Sequence, residues 1–199
     1  MTTTTRVRMS KEGRREQLLE IGVRLLATHP LEELSIELLA DHAGISRGLL
    51  YHYFGNKQDF HVAVVRRAVA DIYAITAPMD LADPTEQLMA SLAAYLDYVT
   101  QNHAGYLSLV RAAQGGNEEL QTIYEDARRA LTDRLFERID ATEALGVQDT
   151  PATRLLARSW AALAEDAVLA WLEDPAGLSR EVLLERIAAA LPALILPAT

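Results

Sequence analysis

Apolar residues recur along this chain at three- and four-residue intervals almost from end to end. No stretch alternates apolar and polar positions for long enough to make a convincing strand. The pattern predicts an all-α protein of about nine helices. The first is expected from Ser10, a plausible N-cap, to Ala27, with Leu18, Ile21 and Leu25 on one row and Leu19 and Leu26 on the next, and Pro30 beyond its end. Ser35 caps a short helix from Ile36 to Ala43 that Gly44 ends, and Ser46 caps another from Arg47 to Phe54, broken at Gly55 and Asn56. A fourth helix is expected from Lys57 to about Thr76, before Pro78 and a turn-rich stretch at 78–84 that marks a candidate seam between an N-terminal head and a larger body.

In the body, Thr85 is expected to open a helix to about His103, followed by a shorter one from Ala104 to Gln114. Asn117 caps a long helix to about Leu145. Thr150 and Pro151 form an N-cap with proline at the first helical position, starting a helix to Glu173. The last helix, capped by Ser179, is expected to reach about Leu196 and to be kinked or ended early by Pro192. The longest near-continuous apolar run, Ile187 to Ala198, carries two prolines and is much shorter than the ~20 residues of a membrane-spanning helix.

Charge changes this picture. The 199 residues carry a net charge of −9, which argues against a nucleic-acid partner until it is divided by region. Residues 1–76 hold 10 basic and 9 acidic side chains, so all the net acidity lies in residues 77–199. The segment before His29 is a basic arm containing Arg6, Arg8, Lys11, Arg14, Arg15 and Arg24 against Glu12, Glu16 and Glu20. Such a two-part asymmetry suits a small DNA-binding head on a larger acidic body. The absence of cysteine excludes disulfides, thiolate zinc sites and cysteine nucleophiles. The N-terminus lacks the apolar run of a secretory signal, so a cytoplasmic location is expected, with no membrane partner.

The informative stretch is 36–54. Ala40 is small enough for two short helices to cross closely, Gly44 supplies the left-handed turn, and Leu39, Ala43, Ile45 and Leu50 form an apolar wedge, with Phe54 one turn further on. This spacing signals a helix-turn-helix, against the alternative of an ordinary helical corner. With Leu50 and Phe54 buried, the second helix is left with Arg47, Gly48, Leu49, Tyr51 and His52. Arginine can fork onto guanine, a bare glycine lets the helix sit deep in the groove, and leucine can touch a thymine methyl. Tyr51, His52, Tyr53 and Lys57 offer donors to phosphates, and the helix N-terminus at Ser35 favours another. Ser46, the N-cap of the reading helix, is also a candidate contact.

The segment SIELLADHAGISRGLLYHYFGNKQDF, Ser35 to Phe60, resembles the DNA-binding signature of the TetR family of bacterial transcriptional regulators. The likeness covers roughly residues 10–60 and extends to length and helix pattern. By position in the motif, Ser35, Arg47, Gly48, Tyr51, His52, Tyr53 and Lys57 match places where family members meet DNA, whereas Leu50 and Phe54 match core positions. Ser35 stands where threonine is usual, which keeps the hydroxyl. The resemblance implies a helix-turn-helix DNA-binding domain over 10–56, with the motif at 35–54, and a helical ligand-binding and dimerisation domain over 57–199. It also implies a homodimer closed by a four-helix bundle of the last two long helices, and a cavity whose ligand controls release from DNA.

Independently, one eight-residue reading helix makes too few contacts for tight specific binding. Two copies about one DNA turn apart, roughly 34 to 36 Å, would match a palindromic operator on double-stranded DNA. Leu155, Leu156, Trp160, Leu163 and Val168, with Val182, Leu183, Ile187, Leu191 and Leu194, are candidates for the bundle, and about half are expected to be intramolecular core instead. For a small-molecule effector the candidate pocket residues are Tyr98, Tyr106, Arg111, Trp160 and Glu165, drawn from a wider set including Tyr73, Tyr95 and Tyr124. Glu165 and Asp166 interrupt an apolar stretch, so at least one should face inward or toward a second subunit; Arg158 is a possible partner. Arg128 and Arg129, among Glu125, Asp126 and Asp133, read as a solvated face.

The sequence therefore points to a DNA-binding regulator, most simply a repressor released by an effector, with a regulator lacking a small effector as the alternative. An enzyme using His103, Glu165 and Asp166, or His52 with Tyr51, is disfavoured by the absence of HExxH, nucleophile-elbow, P-loop and GxGxxG motifs. No cofactor and no metal are expected.

Overall fold

The computed structural model describes residues 10–78, 81, 83–137 and 147–196. Arg6 and Arg8 of the basic arm, part of the stretch 78–84 and the expected end of the seventh helix toward Leu145 lie outside them. Among the described residues there are nine α-helices and no strand: α1 Lys11–Leu26, α2 Ile36–Ala43, α3 Arg47–Phe54, α4 Lys57–Ile75, α5 Pro84–Gln101, α6 His103–Gln114, α7 Glu118–Glu137, α8 Pro151–Glu173 and α9 Arg180–Ile195, with a 3-10 turn at Leu31–Glu33.

Short polar side chains start these helices by accepting bonds from backbone N–H groups that have no partner within the helix. Ser10 accepts from Gly13, Ser35 from Leu38, Ser46 from Leu49, Asn56 from Asp59 and Ser179 from Val182. Thr150 and Thr153 cap each other reciprocally, with Pro151 in the first turn. Three boundaries differ from the sequence reading. Asp83 caps α5 and puts Pro84 inside it, one residue before Thr85. Asn102 ends α5 and starts α6, so α6 begins at His103. Pro192 does not stop α9, which continues to Ile195; the proline removes one N–H donor but its ring is tolerated near the helix end.

The head consists of α1, α2, α3 and the first half of α4 around Leu18, Leu34, Ile36, Leu39, Leu50 and Phe60, all essentially inaccessible to solvent. This core continues into the body, because Leu109 of α6 and Leu120 and Ile123 of α7 belong to the same cluster. A second core joins α5, α8 and α9 through Leu96, Val99, Trp160, Val168, Leu184 and Ile187, and the Trp160 indole N–H donates to the Ile187 carbonyl at 2.8 Å. Roughly 1.5–3 kcal/mol per fully buried aliphatic side chain makes these clusters the main source of stability.

Two contacts fix the head to the body. The Leu31 N–H of the 3-10 turn donates to Ser108 Oγ of α6 at 2.6 Å in a buried site. One turn back, Gly105 lets α6 approach α1 so closely that a Cβ there would lie 2.1 Å from the Leu26 carbonyl oxygen and 2.4 Å from Leu26 Cγ. Alanine gains up to about 1 kcal/mol of helix propensity over glycine, but overpacking against a backbone carbonyl costs more. Gly105→Ala is therefore expected to lose about 2 kcal/mol net in urea unfolding. A neutral or stabilising result would show that the two helices separate freely.

Candidate nucleic-acid interface and body cavity

The α2 and α3 helices meet at Gly44, whose φ of +63° is left-handed and favours glycine. Ile45 then donates its N–H back to the Ala40 carbonyl at 3.2 Å, and Leu39, Ala40, Leu50 and Phe54 close the crossing from within. The expected wedge is present, with Ala43 and Ile45 half-buried at its edge. Once Leu50 and Phe54 are turned inward, the opposite side of α3 is left facing solvent. Arg47, Gly48, Leu49, Tyr51 and His52 are all exposed.

Gly48 is the most informative of these. Its φ is not positive, and a Cβ built on it would meet nothing within 4 Å. Packing does not require glycine there, although glycine costs a helix interior about 1 kcal/mol. The bare backbone suits a close approach from outside the protein. Arg47 leans toward Glu37 of α2 at 3.6 Å, an exposed pair weak enough to be exchanged for another partner. The Ser35 and Ser46 hydroxyl oxygens accept backbone bonds as caps, which leaves each hydroxyl hydrogen free to donate outward. Tyr53 is half-buried against the head core and packs edge-on against His52 at 5.7 Å.

Lys57 lies at the N-terminus of α4, where its ammonium donates to the Glu32 carbonyl at 2.9 Å. Nearby, buried His61 donates from Nε2 to the Leu34 carbonyl at 2.6 Å, so the same 3-10 segment is held twice by α4. Sequence reasoning did not single out His61. Its position four residues after Lys57 on the apolar face of α4 was the available signal.

In the body, α4 to α9 line a partly open cavity of about 1170 Å³. Its wall is mostly apolar, including Ile72, Leu88, Leu131, Leu135 and Leu191, and Leu109 and Ile123 line it while also belonging to the head core. A polar chain crosses one side. Tyr95 and Tyr106 share a hydrogen bond at 2.9 Å, Tyr106 donates to Glu165 Oε1 at 2.5 Å, and Glu165 Oε2 accepts from both the Tyr124 hydroxyl and the Arg128 guanidinium. Burial, reinforced by the Glu165 carboxylate, holds the Tyr95, Tyr106 and Tyr124 phenols well above their ordinary range, so all three stay protonated.

Of the pocket residues expected from sequence, Tyr106, Trp160 and Glu165 line this cavity. Tyr98 and Arg111 do not. Tyr98 turns toward α4 and donates to the Ala68 carbonyl at 3.3 Å, with burial pushing its phenol up to about 12, and Arg111 is exposed on α6. The expectation for Arg128 also needs correcting. Residues 128 and 129 lie about 100° apart on a helix, so they cannot share a face; Arg129 pairs with Asp126 on the surface while Arg128 turns inward to Glu165. Glu165 is thus partnered by Arg128, not Arg158. Arg134 also went unnoticed. It caps the end of α4 by donating to the Tyr73 carbonyl at 2.5 Å, and its guanidinium lies over the Tyr73 ring. Among the described residues no cluster of histidine and carboxylate groups could hold a metal, and no helix is long and apolar enough to cross a membrane.

Family comparison matches residues 18–64 to the bacterial regulatory proteins of the tetR family and residues 84–192 to the tetracyclin repressor-like C-terminal domain. The second match alone spans more than half of the chain. The chain belongs to the TetR family. It is a DNA-binding transcriptional regulator. The transcriptional activator FasR of Mycolicibacterium smegmatis is 23% identical over 180 residues, covering 89% of this chain and 81% of that protein. A tetR-family regulator from Streptomyces coelicolor superposes with a TM-score of 0.78 at 29% identity, over 94% of this chain and 82% of that one. A transcriptional regulator from Saccharomonospora viridis in complex with choline has the same fold, with a TM-score of 0.75 at 20% identity, over 94% of this chain and the whole of that one.

His61 gives this TetR regulator a pH dependence in its head. Burial, with the Lys57 charge, lowers its imidazole below the ordinary 6.5, against the opposing pull of the Leu34 carbonyl and Glu32. Between the folded value and 6.5 the unfolded chain therefore binds more protons. The stability held in neutral His61 is complete above 6.5 and declines as pH falls below it. Urea midpoints are expected to fall between about pH 7.5 and about pH 5.5, and to fall less in His61→Gln, which keeps a donor but cannot titrate. An equal drop in both proteins would assign the acid sensitivity elsewhere.

Proposed function

We propose that the protein is a cytoplasmic homodimer that places α3 of each subunit in successive major grooves of a palindromic operator, represses by occupying that site, and leaves it when a small molecule fills the body cavity. The carrying observation is the outward side of α3, where Arg47, Gly48, Leu49, Tyr51 and His52 are all exposed and none belongs to the subunit's apolar core. Arg47 reads a guanine and Leu49 a thymine methyl, while Ser35, Ser46, Tyr51, His52, Tyr53 and Lys57 meet phosphates. In this reading residues 10–56 form the reading unit and residues 57–199 the ligand-binding and dimerising unit, and no catalytic step is needed.

Dimerisation is supported by apolar side chains left uncovered on the last two helices. Leu155 and Leu163 of α8 are 56% and 49% exposed, and Leu194 of α9 and Leu196 just beyond it are also exposed. Of the other bundle candidates, Trp160, Val168, Leu183, Ile187 and Leu191 belong to the subunit's own core. Release requires only that the effector bind better to the shape whose reading helices no longer fit the grooves. An effector role is supported by the large apolar cavity, and a protein of the same fold is known in complex with choline.

Fluorescence anisotropy on DNA flanking the protein's own gene, against a shuffled control across a salt series, tests this reading. Wild type should bind the flanking DNA far more tightly than the control and lose affinity steeply with salt. Arg47→Ala should weaken specific binding by about 1–3 kcal/mol, roughly five- to 150-fold, and relax preference at one base position. An unchanged affinity and preference would remove α3 as the reader. Sedimentation should give the mass of two chains, and Leu163→Glu should shift it toward one; a wild-type monomer at micromolar concentration would contradict the dimer. In a reporter driven by that flanking promoter, supplying the protein should lower expression, whereas a rise would make it an activator.

A further inference from the structure

The ion pair in the cavity wall is unequal. Glu165 is held from two sides, by Tyr106 on Oε1 and Tyr124 on Oε2, and its side chain is 10% exposed. The Arg128 side chain is 28% exposed, and its guanidinium makes its bonds through Nη2 alone, to Glu165 and to the Tyr124 hydroxyl. The guanidinium also lies 4.7 Å over the Tyr124 ring. Its position is bounded by a buried carboxylate, an aromatic face and open cavity. Such surroundings suit a cation.

We propose that Arg128 is the resident occupant of a cation-binding site, and that the cavity takes a bulky apolar cation whose charge replaces the Arg128 guanidinium against Glu165. The chemical class is an ammonium, phosphonium or amidinium group on a large hydrocarbon or aromatic body. The proposal rests on the reading of this cavity as the effector site and names the effector's chemistry.

The sign of the ligand charge follows from which partner can leave. An anion drawn to Arg128 would bring a second negative charge beside Glu165, or pull away the only cation paired with it and leave a buried carboxylate uncompensated, which is costly. A cation keeps Glu165 neutralised and sends Arg128, on a flexible stem already in partial contact with solvent, out to water. The tyrosines help because they stay neutral and present hydroxyls and faces rather than competing anions. Trp160, Tyr95 and Leu135 supply apolar surface for the ligand body. The exchange also has a route to the head. It removes one tie between α7 and α8 while the Asp133–Arg154 pair remains as a pivot, and the same α7 carries Arg134, which caps the end of α4, whose first turn holds Lys57.

Tetraphenylphosphonium and tetraphenylborate have nearly the same size and shape and opposite charge, so titrating each into the whole chain in sodium buffer, by calorimetry and by the fluorescence of Trp160 in a Trp171→Phe background, isolates the charge. Wild type should bind the phosphonium about tenfold or more tightly than the borate. Glu165→Gln, which retains hydrogen-bond acceptance from Tyr106, should abolish the preference. Arg128→Ala should bind the phosphonium several-fold more tightly than wild type, because its internal competitor is gone; a merely structural Arg128 would not give this. Arg128→Met keeps the apolar stem and replaces alanine should that variant unfold. Equal or tighter binding of the borate, no binding of either ion, or phosphonium affinity unchanged in both Arg128 variants would overturn the proposal. Operator binding by unliganded wild type is measured on the same preparation. If it holds while the charge preference fails, the cation assignment falls alone; if it is absent, the regulator reading falls with it.

Discussion

The approach of α6 to α1 is the constraint on which the rest of the molecule depends. With only hydrogen on Gly105, α6 settles onto Leu26, and Ser108 one turn later takes the Leu31 N–H. An unpaired N–H in that buried position would cost about 1–3 kcal/mol, so the hydroxyl fixes where the 3-10 turn sits as well as satisfying it. That turn in turn accepts Lys57 and leads to Leu34 and the Ser35 cap of α2. The position of the helix-turn-helix is thus referred back to a body helix through a short series of contacts, of which those at Ser108 and His61 are buried.

Packing extends the same connection. Leu109 and Ile123 are members of the head core and also line the body cavity, so the cavity wall and the head share side chains. Close-packed interiors do not deform smoothly, and a change at these positions favours one of a few discrete arrangements. The buried ion pair acts on the other side of α7. Arg128 and Asp133 tie that helix to α8, through Glu165 and Arg154, while Arg134 holds it to the end of α4, so a change at Arg128 acts on a helix that bridges the cavity wall and α4.

The helix-turn-helix was legible in the sequence because two eight-residue helices crossing closely leave little freedom. Small Ala40, left-handed Gly44, the serine caps and the spaced Leu39, Leu50 and Phe54 are each demanded by local geometry. The outward residues of α3 follow by subtraction. The TetR assignment made on that segment agrees with the family matches over both halves of the chain. The body was legible as helices but not as a site. Tyr106, Trp160 and Glu165 were picked out as bulky or polar groups in apolar stretches, but nothing in periodicity distinguishes Tyr95, which faces the cavity, from Tyr98, which faces α4. The partner of Glu165 lies 37 residues away on another helix, and Ser108 lies 77 residues from Leu31. Those pairings come from tertiary packing, which local spacing does not encode. Arg128 was misread because a run of mixed charges resembles a solvated face unless each residue is assigned its angle around the helix.

Charge is divided to match this mechanical division. The near-neutral first 76 residues carry the basic side chains that can meet phosphate, and the acidic remainder disfavours contact of the body with DNA, leaving the head as the side of approach. A central claim follows from the shared core: head and body unfold as one unit, so an event at the cavity is felt at α1 and at the 3-10 turn. Native-state hydrogen exchange across a series of low urea concentrations tests this directly. Amides in α1 and α6 should open with the same free energy and the same denaturant dependence. If α1 and the helix-turn-helix open at clearly lower urea than α6, the head is an independent unit and the buried contacts at Gly105 and Ser108 do not couple it to the cavity.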